Sequence, residues 1–136
     1  MADPASLALQ KALVARLRAE VASLAGRVYD RAPQEVAFPH VELGAIEIVD
    51  AAAAGDCVEP LEATVTLHVW SRATGAVECR RIAGAIRAAL RGWTPDLTAE
   101  GWRAAPVEVG QLRDMEDPDG LTTHGVVTLT ALIDAL

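Results

Sequence analysis

The sequence predicts an α+β domain, an antiparallel four-stranded sheet with two main helices packed on one face, in the order α–β–β–α–β–β. The cleanest pattern is a strict alternation over residues 61–70, with Leu61 through Val69 facing one way and Glu62 through Trp70 facing the other. Two segments repeat apolar residues at helical spacing. Because short turns join strands that pair as hairpins, an antiparallel sheet with helices on one face follows.

The first helix is predicted to start with Asp3 as its N-cap and Pro4 at its first position, and to stop at Gly26. Its core face holds the apolar residues Leu13, Val14, Leu17, Val21 and Leu24. A ridge of small residues is predicted on roughly the opposite side, formed by Ala8, Ala12, Ala15, Ala19 and Ala22. Such a ridge lets another backbone approach closely, or it fills a solvent face with the best helix former.

The remaining elements follow from turn residues and periodicity. Residues 28–39 are expected to form an extended connection, and residues 41–48 a strand with a bulge at Gly44. The second helix covers about residues 74–90, stops at Gly92 and buries Cys79, Ile82, Ala83, Ile86, Ala89 and Leu90. Pro106 places the strand at 102–113 at an edge or bulge, and residues 117–120 turn into a last strand at 122–133. We expect one domain, residues 1–136.

Composition excludes several classes of protein. Of the 136 residues, 51% are hydrophobic, which argues against a disordered chain. The net charge of -7 argues against a protein that binds nucleic-acid phosphates. Cys57 and Cys79 are expected to be reduced thiols, one in a loop and one on a helix. The acidic start and the absence of a run of 18 apolar residues predict a soluble protein made in the cytoplasm, without membrane contact.

No catalytic template fits the chain. The sequence contains no GxSxG, GxxxxGK[ST], HExxH or GxGxxG pattern, and the calcium-loop pattern fails around Gly120. His40, His68 and His124 are separated by 28 and 56 residues, so the sequence specifies no shared metal site. We expect no enzyme, no cofactor and no metal.

Charge is distributed unevenly along the chain. Residues 34–63 contain seven acids and no Lys or Arg, whereas the second helix carries Arg80, Arg81, Arg87 and Arg91 against Glu78 alone. The two regions are either two solvated faces or the two halves of a head-to-tail contact between subunits. Trp70 is predicted on the polar-patterned face of its strand, as a residue covered by the chain or as an interface anchor.

Several short motifs occur in an order that is familiar from one family. They are VYDRAPQ at 28–34, FPHV at 38–41, HVWSR at 68–72 and DPDGLTTHG at 117–125, supported by residues 8–10 with Leu13 and by 81–83. Together they resemble the small tail-completion, or tail terminator, proteins of tailed bacteriophages and gene transfer agents. The resemblance covers nearly the whole chain.

The resemblance implies a structural virion protein that forms a ring, commonly a hexamer, on the head-proximal end of a tail tube. Its expected partners are other copies of itself, the tail tube protein and a head-completion or stopper protein. DNA would pass through the lumen without tight binding, and the place of action would be the neck of a particle assembled in the bacterial cytoplasm. The alternatives are another neck component, such as a stopper or adaptor, and a small non-viral partner-binding domain.

The resemblance and the charge pattern together suggest two sets of contact residues. Candidates for the subunit interface are Arg80, Arg87, Arg91, Ala12, Ala15, Ala19 and Trp70. Candidates for lumen or axial contacts are Glu42, Glu47, Asp50, Asp56, Glu59 and Glu62. The loops at 50–60 and 94–101 are further candidates for contact with axial neighbours.

Overall fold

The computed structural model describes residues 2–52, 55 and 57–136. Its elements, in chain order, are α1 (Ala5–Glu20), β1 (Val28–Tyr29), β2 (His40–Asp50), β3 (Leu61–Ser71), α2 (Val77–Leu90), β4 (Trp102–Ala104), β5 (Glu108–Glu116) and β6 (Thr123–Ala135). Short 3₁₀ turns follow α1 and precede β4, at Ala22–Leu24 and Thr98–Glu100. Neither helix in these ranges is long and apolar enough to cross a bilayer.

The sheet is mixed and has six strands, so the prediction of a four-stranded antiparallel sheet was wrong in both respects. The strand order is β1-β2-β3-β6-β4, and β5 also pairs with β6. The missed strand, β1, runs parallel to β2, with Val28 opposite Val41. It has only two residues, too few for an alternating pattern to reveal it in the segment that we expected to be an extended connection.

The predicted edge strand is divided in two. Both β4 and β5 pair antiparallel with β6 along the same edge, with Ala104 opposite Ile133 and Glu108 opposite Thr130. Between them the chain leaves the ladder around Pro106, which has no N–H to donate. The prediction that Pro106 interrupts an edge strand is therefore confirmed, and the interruption leaves a gap beside β6.

The core lies between the sheet and the two helices. All five β3 residues predicted to point inward are buried, and so are the six predicted core residues of α2. The helix α2 packs against β3, β5 and β6, while α1 contacts α2, β1 and β2. One sheet face is thus covered, and the other, which we call the open face, carries the alternate residues of each strand.

Both helices start differently from the prediction. Pro4, not Asp3, occupies the N-cap of α1, and no side chain caps this end. The Asp3 carboxylate instead forms an ion pair with Lys11, and its backbone N–H donates to Glu100 at 3.0 Å. The helix α2 begins at Val77 rather than Thr74 because Gly75 adopts a left-handed conformation with φ +74°.

Candidate assembly surfaces

The predicted row of arginines on α2 is split by an ion pair within the chain. Arg80 donates from Nε and Nη2 to the two carboxylate oxygens of Asp114 on β5, at 3.0 and 3.2 Å. Arg81, Arg87 and Arg91 are exposed, and no carboxylate of the described residues lies within ion-pair distance of them. Of the three interface candidates on this helix, Arg80 is therefore already engaged by its own chain.

Arg87 and Arg91 line a groove that the interruption between β4 and β5 opens. The groove has a volume of about 620 Å³, and we call it the edge groove. Two arginines at the end of α2, two acids and several apolar side chains line the groove. The lining residues are Arg87, Arg91, Glu62, Glu108, Ala105, Pro106, Val107, Val109, Leu132, Gly92 and Thr130. The edge groove therefore combines two cationic and two acidic side chains with apolar surface.

The predicted acidic residues do not form one surface. Glu47 and Glu62 lie on the open face, Asp50 lies on the helix side at the end of β2, and Glu59 lies in the loop before β3. The Glu42 carboxylate accepts a hydrogen bond from the backbone N–H of Ala32 at 2.7 Å and is half-buried. Asp56 lies outside the described residues.

The strand residues of the open face nevertheless carry more carboxylates than guanidinium groups. The strand register places five carboxylates and two guanidinium groups on this face. The acids are Glu42, Glu47, Glu62, Glu108 and Asp134, and the cations are Arg103 and Arg113. One of the two cations, Arg103, is paired with Asp134 at 3.1 Å. Arg72, which follows β3, also reaches this side, where its guanidinium lies 4.1 Å from the centre of the Phe38 ring. The strand part of the face, with its excess of carboxylates, disfavours phosphates.

The alanine ridge of α1 is only partly on the surface. Ala8 is buried and Ala12 packs half-buried against the core, whereas Ala15 and Ala19 are exposed. Two of the three alanines predicted at the subunit interface are thus accessible. The buried face of α1 is therefore wider than the spacing of its leucines and valines predicted, because it also includes Ala8.

All three histidines of the chain gather on the open face. His124 stacks flat on Trp70, with ring centroids 4.0 Å apart and planes at 4°, and its Nε2 lies 2.7 Å from Nδ1 of His68. His40 stands opposite Trp70 on β2 and packs edge-on against Phe38. Trp70 is therefore half-covered by a neighbouring ring and half-accessible at the surface.

Burial favours the neutral form of two of these histidines, His40 and His124. Burial lowers the pKa of His40, and Glu42 offsets part of that effect. Burial, followed by the proximity of His68, also lowers the pKa of His124. His40 and His124 therefore add little positive charge to the open face near neutral pH.

A carboxylate on β6 holds the loop between β2 and β3. Asp134 accepts the backbone N–H of Glu59 at 2.6 Å and that of Val58 at 3.1 Å, in addition to the Arg103 guanidinium. These donors lower the pKa of Asp134, the Glu59 N–H most strongly. Val58 and Glu59 therefore lie against the end of β6, and Cys57, the residue before them, is exposed.

The metal-ligating side chains of the described residues are dispersed over the fold. Across the part of the chain that the structure describes, no three side chains of His, Cys, Asp or Glu converge on one point. Cys79 is buried under α2, and burial raises its pKa to about 11, so it is a protonated and unreactive thiol.

The comparison with family models decides which family the chain belongs to. The model described as "Tail completion protein gp17" matches residues 11–134, which is nearly the whole chain. The chain belongs to the tail completion protein gp17 family. The resemblance on which the sequence analysis relied is thereby confirmed, and with it a place among tail proteins of phage or gene transfer agent particles.

Two solved structures share the fold of this tail completion family member. One is a chain of the "Virion of native gene transfer agent (GTA) particle", with 23% identity, a TM-score of 0.83 and coverage of 98% of this chain and 100% of that one. The other is bacteriophage SPP1 gp17, with 24% identity, a TM-score of 0.55 and coverage of 93% and 89%. No curated protein matches the chain.

Proposed function

We propose that this chain is a tail terminator, which forms a ring on the head-proximal end of a phage-like tail tube. The ring stops further tube subunits from adding and offers a surface to a head-completion or stopper protein. The family membership supports a role in tail completion, and this role needs a structural protein rather than an enzyme.

The proposed ring is supported by one observation, the separation of opposite charges across the sheet. Unpaired arginines, Arg87 and Arg91, lie beside the β4–β5 edge, and the acids Glu47 and Asp50 lie on β2 at the opposite edge. A subunit with complementary patches on opposite sides associates head to tail, and such contacts close into a ring when the rotation permits. A hexamer is the expected stoichiometry.

In this proposal the open face is turned toward the lumen. The excess of carboxylates among its strand residues, which include Glu42 and Glu62, lets DNA slide through without being held. Trp70 and the exposed alanines Ala15 and Ala19 remain candidates for contacts with neighbouring subunits. Glu59, which stands in the loop held by Asp134, is a candidate for contact with the tube or the stopper.

The function is tested by adding the purified chain to an extract that contains heads and tail tubes but lacks this protein. Restoration of tailed particles, with the chain located at the head–tail joint by an affinity label, supports termination. Labelling of heads alone would assign the chain to a stopper or adaptor. An extract that already joins heads to tails without the chain would contradict the proposal.

A further inference from the structure

We propose that the outer edge of β2 in one copy docks into the edge groove of the next copy. This inference rests on the proposed ring and names the two surfaces that form its seam. The partner is a second copy of this chain, and the contact is made by strand residues 46–50 on one side and by the end of α2 with residues 105–109 on the other.

The groove supplies two unpaired guanidinium groups beside apolar side chains, and Glu62 and Glu108 are the two acids of its lining. Arg87 and Arg91 are exposed, and none of the ion pairs in the described ranges includes them. Leu132 is 52% exposed on the groove wall, next to Pro106. A partner that offers carboxylates alternating with apolar side chains would satisfy both features.

The outer edge of β2 has that composition. It loses its strand partner after Glu42, because β1 pairs only with Val41 and Glu42. Beyond that point Glu47 and Asp50 are exposed without an ion pair among the described residues, and the intervening Ile48 and Val49 are 36% and 56% exposed. An open strand edge with exposed apolar residues is a surface that proteins normally cover.

The rest of the opposite edge is a poorer partner for β2. Beyond the groove, β5 carries a single cation, Arg113, followed by Asp114 and Glu116, and Asp114 is already paired with Arg80. That segment therefore offers the acids of β2 less positive charge than the two arginines of the edge groove do. These arginines are the complementary surface, and they lie on the side of the subunit opposite to β2, as a head-to-tail contact requires.

The decisive experiment is charge reversal with rescue. One variant carries Arg87→Glu and Arg91→Glu, a second carries Glu47→Arg and Asp50→Arg, and a third carries all four changes. Each pair alone is expected to reduce the yield of tailed particles by ~10-fold or more, whereas the four changes together recover most of it because the opposite charges face each other again. Arg81→Glu, an exposed reversal on the same helix outside the groove, is the matched control and should leave the yield unchanged.

Cross-linking provides a readout that does not depend on yield. Val49→Cys and Pro106→Cys are combined with Cys57→Ser, which removes the exposed native thiol. Oxidation of assembled particles should give a ladder of covalent oligomers with both cysteines present, and no species beyond a dimer with either one alone. Circular dichroism confirms that each variant is folded.

Different experimental results would contradict the docking of β2 and the proposed function. If both charge-reversed variants give normal particles and no ladder forms, the seam is not at β2 and the edge groove, while a terminator role remains. If the two pairs of changes each abolish assembly and the combination does not restore it, the docking is also overturned. If particles form normally without this protein, the proposed function itself is wrong.

Discussion

Nδ1 of His68 lies 2.7 Å from Nε2 of His124, and the His124 ring stacks on Trp70. At this distance one nitrogen donates and the other accepts, so the two facing nitrogens share a single proton. If both facing nitrogens carried a proton, the contact would lose its acceptor and the two N–H groups would repel each other. The two rings therefore cannot both be doubly protonated while this contact is kept.

The free energy of unfolding should fall as the pH drops below the ordinary histidine pKa of 6.5. The folded-state pKa values of His40 and His124 are lowered by burial, so the unfolded chain binds these protons more readily than the folded protein. The stabilisation is complete above the unfolded pKa and is lost as the pH falls through the lowered values.

Urea unfolding at about pH 7.5 and about pH 5.5 measures this loss, in a range where most carboxylates stay ionised. His124→Phe keeps a ring on Trp70 and removes one titrating group, so its loss of stability over the same range should be smaller. An equal loss in the wild type and this variant would show that His124 does not contribute.

Gly44→Ala should destabilise the protein and disturb the histidine pair. A Cβ at this bulge position would lie 2.6 Å from Nε2 of His68 and 3.0 Å from the carbonyl oxygen of Thr66. Since the backbone oxygen cannot move freely, the imidazole must shift, at a cost of about 1–3 kcal/mol. Thermal or chemical unfolding measures the change.

Gly84→Ala is the matched control for this substitution. Gly84 lies within α2, and its added Cβ would meet nothing within 4 Å. There the change should stabilise the protein by about 0.5–1 kcal/mol, because alanine loses less conformational freedom in a helix. Equal effects of the two substitutions would contradict the close approach of His68 to Gly44.

Gly125→Ala should be destabilising, and removal of a thiol should relieve part of the effect. The new Cβ would lie 2.7 Å from Sγ of Cys79 and 3.2 Å from Cβ of Val69, both in the core. Overpacking of this kind costs about 1–3 kcal/mol. In the double variant with Cys79→Ala the loss should be smaller than the sum of the two single losses, and strict additivity would show that the sulfur is not the obstacle.

Asp134→Asn should release the loop that precedes β3. The substitution removes a charge that accepts the N–H groups of Val58 and Glu59 and pairs with Arg103. The rate at which a thiol reagent labels Cys57 should rise, because the neighbouring backbone is held less tightly. Cys79 is buried with a pKa of about 11, so it serves as an unreactive internal reference. An unchanged labelling rate would mean that Asp134 does not hold the loop.

Elements with a long, regular pattern could be predicted from the sequence. The alternation of β3 and the apolar stripe of α2 are confirmed residue by residue, as is the bulge at Gly44, where the register shifts between Leu43 and Ile46. The two-residue β1 has no such pattern, and Gly75 delays α2 through a backbone conformation that spacing does not reveal.

The candidate surfaces depend on contacts between distant strands, and these were harder to predict. His68 and His124 meet only because β3 and β6 pair with Trp70 opposite His124. The one local signal was that His68 and Trp70, two residues apart, share a strand face. In the same way, Arg80 is paired within the chain because Asp114 of β5 reaches it, whereas Arg87 and Arg91 form no ion pair among the described residues. Helical spacing alone does not distinguish these three arginines.

The most direct test of the central claim is electron microscopy of particles from producing cells that lack this gene. The account predicts tailless heads beside tail tubes that are unattached and longer than normal, because nothing stops tube growth. Detached tubes of normal length would place the chain in the connector instead. Intact particles with tails of normal length would contradict a role in tail completion.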